Sequence, residues 1–309
     1  MTYHFAYITF EWNYEHSYKL LQGMQKYIQE NTNIQLTVFN ALAKYIDQKV
    51  DVSVLEILHL PTLSNYDGII IQGNRAWPLK DRQSIANKAK ALNIPVISIN
   101  YPLPHTYEIG TDNTCAIHTL MDYLINEKNV QSTVFIGGHK SSEEAKERKK
   151  AYLLYCQLHG INNLGCYGES WDSDDGERTA EEYIHSKHPL PDCFICANDN
   201  NARAFIDVLK KHGIRVPEDV FVTGFDNQEL AYAYSPRITT IDRNYFQIGY
   251  DAVQSLYQLL QNKNLPDKVA SRFELIKEES TGENNQERLH LFSERFLHIN
   301  QELHNFHWI

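Results

Sequence analysis

No segment constrains the fold of this chain more than Asp192–Glu229, which reads DCFICANDNNARAFIDVLKKHGIRVPEDVFVTGFDNQE. Phe194 to Ala197 is a short apolar run that ends in the polar cluster Asn198-Asp199-Asn200-Asn201. Ala204, Phe205, Val208 and Leu209 then recur at helical spacing, and Gly213 supplies a stop ahead of Ile214. After the turn at Pro217, Val220-Phe221-Val222 opens a second apolar strand that ends at Gly224-Phe225-Asp226-Asn227. Two short strands, apolar throughout and joined by one helix, predict a parallel βαβ unit. In such sheets ligands bind beyond the carboxyl ends of the strands. Both polar tips, Asn198/Asp199 and Asp226/Asn227, belong to that edge.

The same alternation runs along the rest of the chain. A strand over Phe5–Phe10 leads into the polar-aromatic turn Glu11-Trp12-Asn13-Tyr14, and Tyr18, Leu21, Met24, Tyr27 and Ile28 form a helical stripe. Strands are expected over Ile34–Phe39, Tyr66–Asn74 and Ile94–Asn100, with helices over Val50–Leu60 and Asp81–Leu92 between them. A second run follows: helix Asp112–Leu124, the strand in STVFIGG, helix Ser141–His159, a strand at Leu164–Tyr167 and helix Glu177–His185. Beyond Asp242 a helix over Phe246–Leu260 and a strand over Arg272–Ile276 close the pattern. The expected class is α/β, with two doubly wound parallel-sheet lobes. No sequence repeat relates them.

Composition narrows the function. With 42% hydrophobic and 22% charged residues the chain has the make-up of a globular protein, and 309 residues suit one large two-lobed domain or two ordinary ones. A net charge of −10 argues against a body that binds nucleic acid directly, while leaving room for a separate DNA-binding domain. No apolar run reaches the roughly 20 residues of a membrane helix. The start, MTYHFAYITFEW, lacks the regions of a signal peptide. Five cysteines, an odd number, do not suggest a disulfide framework. A cytoplasmic protein is expected.

Five pieces, ANDNNA, HGIRVPEDV, GFDN, SPRITTI and EESTG, stand in an order and spacing that resemble the effector-binding core of the LacI/GalR family of bacterial regulators. The resemblance covers Tyr3 to Gly282. It implies a periplasmic-binding-protein-like type I fold, two lobes joined by three crossovers near Thr111–Asp112, Arg243–Asn244 and Ala270. The lobes would comprise residues 1–111 with 244–269, and 112–243 with 270–282, followed by a C-terminal helix at 283–309. It covers only the sensing core; the family's DNA-reading headpiece precedes the first core strand, where this sequence begins. The implied protein is no enzyme but a homodimeric sensor, needing no cofactor and no metal. It would bind a sugar or sugar derivative between its lobes and control transcription, touching DNA only through a domain outside this chain.

Residue by residue, the resemblance yields a candidate site. Arg148, in ERKKAY, matches an arginine able to donate two parallel bonds to ligand oxygens; the spacing equally suits a surface arginine paired with Glu144. Ala151 stands where members of the family carry glycine. Trp171, in GESWDSDDG, matches an aromatic that stacks on effector, or packs half-buried. Asn198 and Asp226 match effector-contacting polar positions, and both residue types also suit capping. Asp199 is expected to cap the helix that begins at Asn200. Trp12 and Tyr14 after the first strand, and Asn100 after ISIN, where members often have aspartate, complete the set.

Other motifs carry less. Cys193-Phe194-Ile195-Cys196 is a CxxC, but residues three apart in a strand point to opposite faces. There is no HExxH, no P-loop and no GxSxG. Past Gly282, Leu289, Phe292, Phe296, Ile299, Leu303 and Phe306 are spaced as a heptad seam. That seam suits a helix packed on its own domain, or a dimeric coiled coil leading to a diguanylate cyclase, kinase or DNA-binding output. A solute-binding transport protein and an enzyme using Asp199 and Asp226 as acid and base are the rival classes.

Overall fold

The computed structural model of the protein describes residues 2–10, 15–41, 45–46, 49–50, 57–73 and 77–283. Trp12, Tyr14 and the Leu289–Phe306 seam lie outside the described residues. The chain divides into two compact units: Met1–Asp122 with Gly138–His159 and Ile241–Glu274, and Tyr123–Gly137 with Gly160–Thr240 and Leu275–Ile309.

In chain order the elements are β1 (Tyr3–Phe10), α1 (Glu15–Glu30), β2 (Ile34–Ala41), β3 (Tyr45–Ile46), β4 (Lys49–Val50), β5 (Gly68–Gln72), α2 (Leu79–Ala91), β6 (Val96–Ile99), β7 (Tyr107–Thr111) and α3 (Asn113–Asn126). They continue as β8 (Ser132–Ile136), α4 (Glu143–His159), β9 (Asn162–Tyr167), α5 (Ser173–His185), β10 (Cys193–Cys196), α6 (Asp199–Lys211), β11 (Phe221–Thr223) and α7 (Glu229–Tyr232). The last are β12 (Thr240–Asp242), α8 (Tyr245–Leu260), β13 (Lys268–Ser271) and β14 (Glu274–Ile276). The class is α/β with parallel sheets.

The first unit is built on a six-stranded sheet in the order β13-β7-β6-β5-β1-β2, parallel at every pairing. Alternation along β1 sends Phe5 and Tyr7 to one face, with Leu20, Met24, Ile248 and Leu256. Ala6 and Ile8 go to the other, with Ile69, Ile71, Trp77 and Ile85. Helices α1 and α8 touch backbone to backbone. A Cβ at Gly23 would lie 1.8 Å from the Phe246 carbonyl oxygen, and one at Gly249 would lie 2.0 Å from that of Leu20. The chain leaves β1 towards β2 and returns to β5 on its other side, so the topological switch point falls between β1 and β5.

The second unit carries a four-stranded parallel sheet, β11-β10-β8-β9, with its switch point between β8 and β10. Helix α6 packs on it through Ala202, Phe205, Ile206 and Leu209, against Val134, Ile136, Phe194 and Val222. Asn198 caps the start of α6 by accepting from the Asn201 amide at 3.0 Å. Gly213, at φ +74°, ends it, and the Ile214 amide returns to the Leu209 carbonyl at 3.0 Å.

Several elements differ from the sequence-based expectation. β7 and β13 were not anticipated: β7 contains Glu108 and Gly110, and β13 alternates exposed and partly buried residues at a sheet edge, so neither shows an apolar run. Val50 pairs with Tyr45 in the β3–β4 hairpin rather than opening a helix, and most of the expected helix falls outside the described residues. α5 begins at Ser173, not Glu177, with Asp174 and Asp175 in its first turn, where acidic side chains suit the helix dipole.

Candidate functional site

In the first unit the polar groups gather where β5, β6 and β7 end. Arg148, on the second turn of α4, is 1% exposed and so is no solvated face. Its Nε donates to Asn113 Oδ1 at 2.9 Å, and Asn113 Nδ2 donates to Glu147 at 2.8 Å. Glu144 stands 3.9 Å from Arg148 but bonds more closely to Arg243, at 2.5 Å. Arg243 in turn donates to Thr111 Oγ1 and to the Tyr245 hydroxyl, each at 3.1 Å. Burial pushes the Glu144 carboxyl up, but Arg243 and then Arg148 outweigh it and hold it below its ordinary value. His16 faces the same group. Burial and then the Arg243 guanidinium bring its pKa down to about 4.

Asn100 sits just past β6 in the left-handed region, at φ 59°. Its Oδ1 is buried without a hydrogen-bond partner among the described residues, pressed against the place where a Cβ at Gly110 would lie, 2.3 Å away. Tyr101, next in the chain, stacks under Arg82 at 5.1 Å. Behind the edge, Tyr7 and Thr9 donate to Gln72 Oε1, and Gln72 Nε2 donates to Ser17 at 3.2 Å.

In the second unit the loop carrying Trp171 is pinned at both ends. Asp175 accepts from the amides of Glu169 and Ser170, each at 2.9 Å, and Asn198 Nδ2 donates to the Trp171 carbonyl at 2.8 Å. Both ends of the Asn198 amide are therefore engaged, one on Trp171 and one on the α6 cap. Asn201 extends the arrangement with bonds to the carbonyls of Gly137 and Ser170 at 3.2 and 3.0 Å. Asp226 is partly exposed, with φ 103°, and Asn227 follows at φ 51°.

Asp199 does not cap α6; that role falls to Asn198. It is wholly buried and accepts from Thr240 Oγ1 at 2.6 Å and from the Gln228 amide at 2.8 Å. Burial, and then the neighbouring Asp226, drive its carboxyl well above the ordinary range. Gly224 makes room for it, since a Cβ there would lie 2.1 Å from Asp199 Oδ1.

Of the candidate residues, Asn100 and Arg148 thus belong to the first unit's edge, and Trp171, Asn198 and Asp226 to the second unit's edge. Asn113, His16 and Arg82 were not singled out in the sequence; Glu144 entered only as a pairing partner for Arg148, Arg243 only at a crossover and Asn201 only in the polar cluster. Arg243 directly after TTID, at the end of a short apolar strand, was the one local signal available. Cys193 and Cys196 are buried free thiols whose pKa burial pushes up. Among the described residues no group of three metal-capable side chains converges, and no helix is long and apolar enough to cross a membrane.

Residues 121–281, more than half of the chain, match the periplasmic binding protein-like domain. The HTH-type transcriptional repressor PurR of Photobacterium profundum is 31% identical over 136 residues, covering 43% of this chain and 40% of that protein. The lactose operon repressor of Escherichia coli (strain K12) is 24% identical over 218 residues, 69% of this chain and 58% of that one. The chain spans about half the length of the curated relatives it matches. Among solved structures, the lac repressor dimer bound to operator and the anti-inducer ONPF superposes with TM-score 0.74 at 19% identity, covering 91% of this chain and 94% of that one. The complex of the transcriptional regulator CelR with cellobiose gives 0.72 at 19%, covering 90% and 84%. At such identities the structures speak for the fold alone. The domain match, however, spans the polar edge of the second unit from Gly137 to Asp226. This chain belongs to the periplasmic binding protein-like domain family and is a core of the LacI type.

Proposed function

We propose that this chain is the small-molecule sensor of a transcription regulator, taking a sugar or sugar derivative as its effector. The observation that carries the reading is Arg148, buried, held in place by Asn113 just past β7, and so standing at the carboxyl edge of a parallel sheet. Relatives named as repressors of the lactose and ribose operons support a sugar, and their names support control of transcription. Binding alone, without turnover, is the proposed activity. Asn100, Arg148, Trp171, Asn198 and Asp226, with Trp12 and Tyr14, are the proposed ligand contacts. Signalling then needs the ligand to bind one conformation better than another, because only differential affinity shifts a population. DNA contact is assigned to a separate domain, and the working species to a homodimer.

The test is a thermal-shift and calorimetric screen of pentoses, hexoses and disaccharides against the full chain. A ligand that binds only the folded protein raises its apparent stability in proportion to the logarithm of its concentration over Kd. The reading requires a shift with at least one sugar class and its loss in Arg148→Ala. Turnover of the bound sugar, or an unchanged shift in that variant, counts against it.

A further inference from the structure

Arg82, on the first turn of α2, is 6% exposed. Its Nε donates to the Trp77 carbonyl at 3.2 Å, and its guanidinium carbon lies 5.1 Å from the centre of the Tyr101 ring. Its Nη1 is buried with no hydrogen-bond partner among the described residues. That nitrogen is aimed at the exit of β5, for a Cβ at Gly73 would meet it at 2.3 Å. Burial weakens the hold of Arg82 on its proton, and the charge felt from Tyr101 offsets this only in part. A buried guanidinium lacking an anion is costly.

The surroundings add to the imbalance. The Tyr101 phenol lies within electrostatic reach of Glu144, Arg243, Arg82 and Arg148 together. Glu144, the carboxylate among these groups, is already shared by Arg243 and Arg148. His16 contributes no compensating charge. The spot lies at the exits of β5 and β6, marked by Gly73 and Tyr101, and the amino end of α2, which follows β5, turns its positive pole the same way. A neutral polyol would leave the buried charge of Arg82 unanswered; an acid would neutralise it.

We propose that the carboxyl edge of the first unit's sheet receives the anionic group of an acidic ligand, a carboxylate or a phosphate, with Arg82 Nη1 as its donor. This rests on the sensor reading and names the class of effector. A charge-assisted bond made by a buried guanidinium is short, and about twice as strong as a neutral one.

The experiment compares neutral and acidic partners of one sugar on the full chain by titration calorimetry. D-glucose and D-galactose are set against their uronates for the carboxylate arm and their 6-phosphates for the phosphate arm, with inorganic phosphate as the bare anion. The expected result is that one acidic arm binds at least tenfold tighter than its neutral parent, with an affinity that falls as NaCl rises. Arg82→Gln should cut that preference to threefold or less, and Arg82→Lys should keep part of it. A purely structural arginine would lower both affinities together. Neutral sugars binding as tightly as their acids in the wild-type chain, or an intact preference in Arg82→Gln, overturns the proposal and leaves the sensor reading standing. No binding in any arm, neutral or acidic, overturns both.

Discussion

Arg148 Nε donates to Asn113 Oδ1 at 2.9 Å, a bond that joins α4 to the start of α3 across 35 residues of sequence. It links Arg148 through Asn113 to Glu147. Asn113 is buried and has its other end on Glu147, so it can hold the guanidinium in one orientation. Glu144 completes the frame from the opposite side while leaning on Arg243.

Removing the orienting group should therefore be felt locally. Asn113→Ala leaves the Arg148 Nε buried without its acceptor, which costs about 1–3 kcal/mol. Urea titration should show the midpoint fall accordingly, with the slope unchanged. Arg148→Ala, in contrast, leaves Glu144 paired with Arg243, so the protein should stay folded while the thermal response to sugar disappears. A midpoint unmoved by Asn113→Ala would mean that the bond is not made in solution.

Gly224 tests the second unit in the same way. A methyl group there would overlap Asp199 Oδ1 at 2.1 Å, and Asp199 has no freedom to retreat, being held by Thr240 and the Gln228 amide. Overpacking of this kind costs typically about 1–3 kcal/mol. Gly224→Ala should lower the unfolding midpoint by that amount. A fully stable variant would show that the Asp199 pocket is looser than the geometry requires.

Acid stability should carry the signature of His16. Its pKa is lowered in the folded chain to about 4 from 6.5, so between those values the unfolded chain binds more protons than the native one. Stability then rises with pH across that window, and the contribution is lost as pH falls from about 6.5 towards 4. Glu144, also held low, adds a loss of the same sign at the acid end. The difference between wild type and His16→Gln isolates the histidine. Urea midpoints measured from pH 4 to 7 should fall less steeply in the variant, and parallel curves would count against a buried, neutral imidazole.

The thiols sort by depth. Cys115 is exposed, Cys166 partly so, and Cys156, Cys193 and Cys196 are buried. A disulfide-exchange reagent should label Cys115 within the mixing period and Cys166 more slowly. The three buried thiols should react only after denaturant is added, since burial keeps at least Cys193 and Cys196 protonated. Rapid labelling of Cys193 or Cys196 in the native protein would contradict the sheet core as described.

Much of the α/β alternation was legible because wholly buried parallel strands are written as apolar runs: Phe194–Cys196, Ile69–Ile71 and Val96–Ile99 announce themselves. β7 and β13 did not, because one carries Gly110 packed against Asn100 and the other lies at an edge. The candidate site was legible only where a motif named it. Asn198 was found by resemblance, yet the structure shows its amide occupied by a cap and a loop carbonyl, which no motif reveals. Arg82 was invisible, and Arg243 was seen only as a crossover position, for a different reason. What distinguishes them is the absence or sharing of a charge partner, and that depends on segments brought together only by the sheet order. The division of the chain into units was read from motif positions, which carry no information about contacts.

Strand β13 pairs with β7, and α8 seats on α1 through Gly23 and Gly249. As the chain is synthesised from its amino end, the first unit's core therefore waits for residues 245–271 to emerge. The second unit's sheet uses only residues 132–223, all available earlier. Its completion waits longer still, for Glu278 and Ser280, which bond to Arg237 and to the Val222 carbonyl of β11, so both units are closed by the carboxyl-terminal part of the chain and neither can finish folding before the other's strands are made. Until α8 is made, the Phe5 and Tyr7 face of the first unit's sheet lacks Ile248, Val253 and Leu256 from its cover, and that is the apolar surface the growing chain leaves open to aggregation.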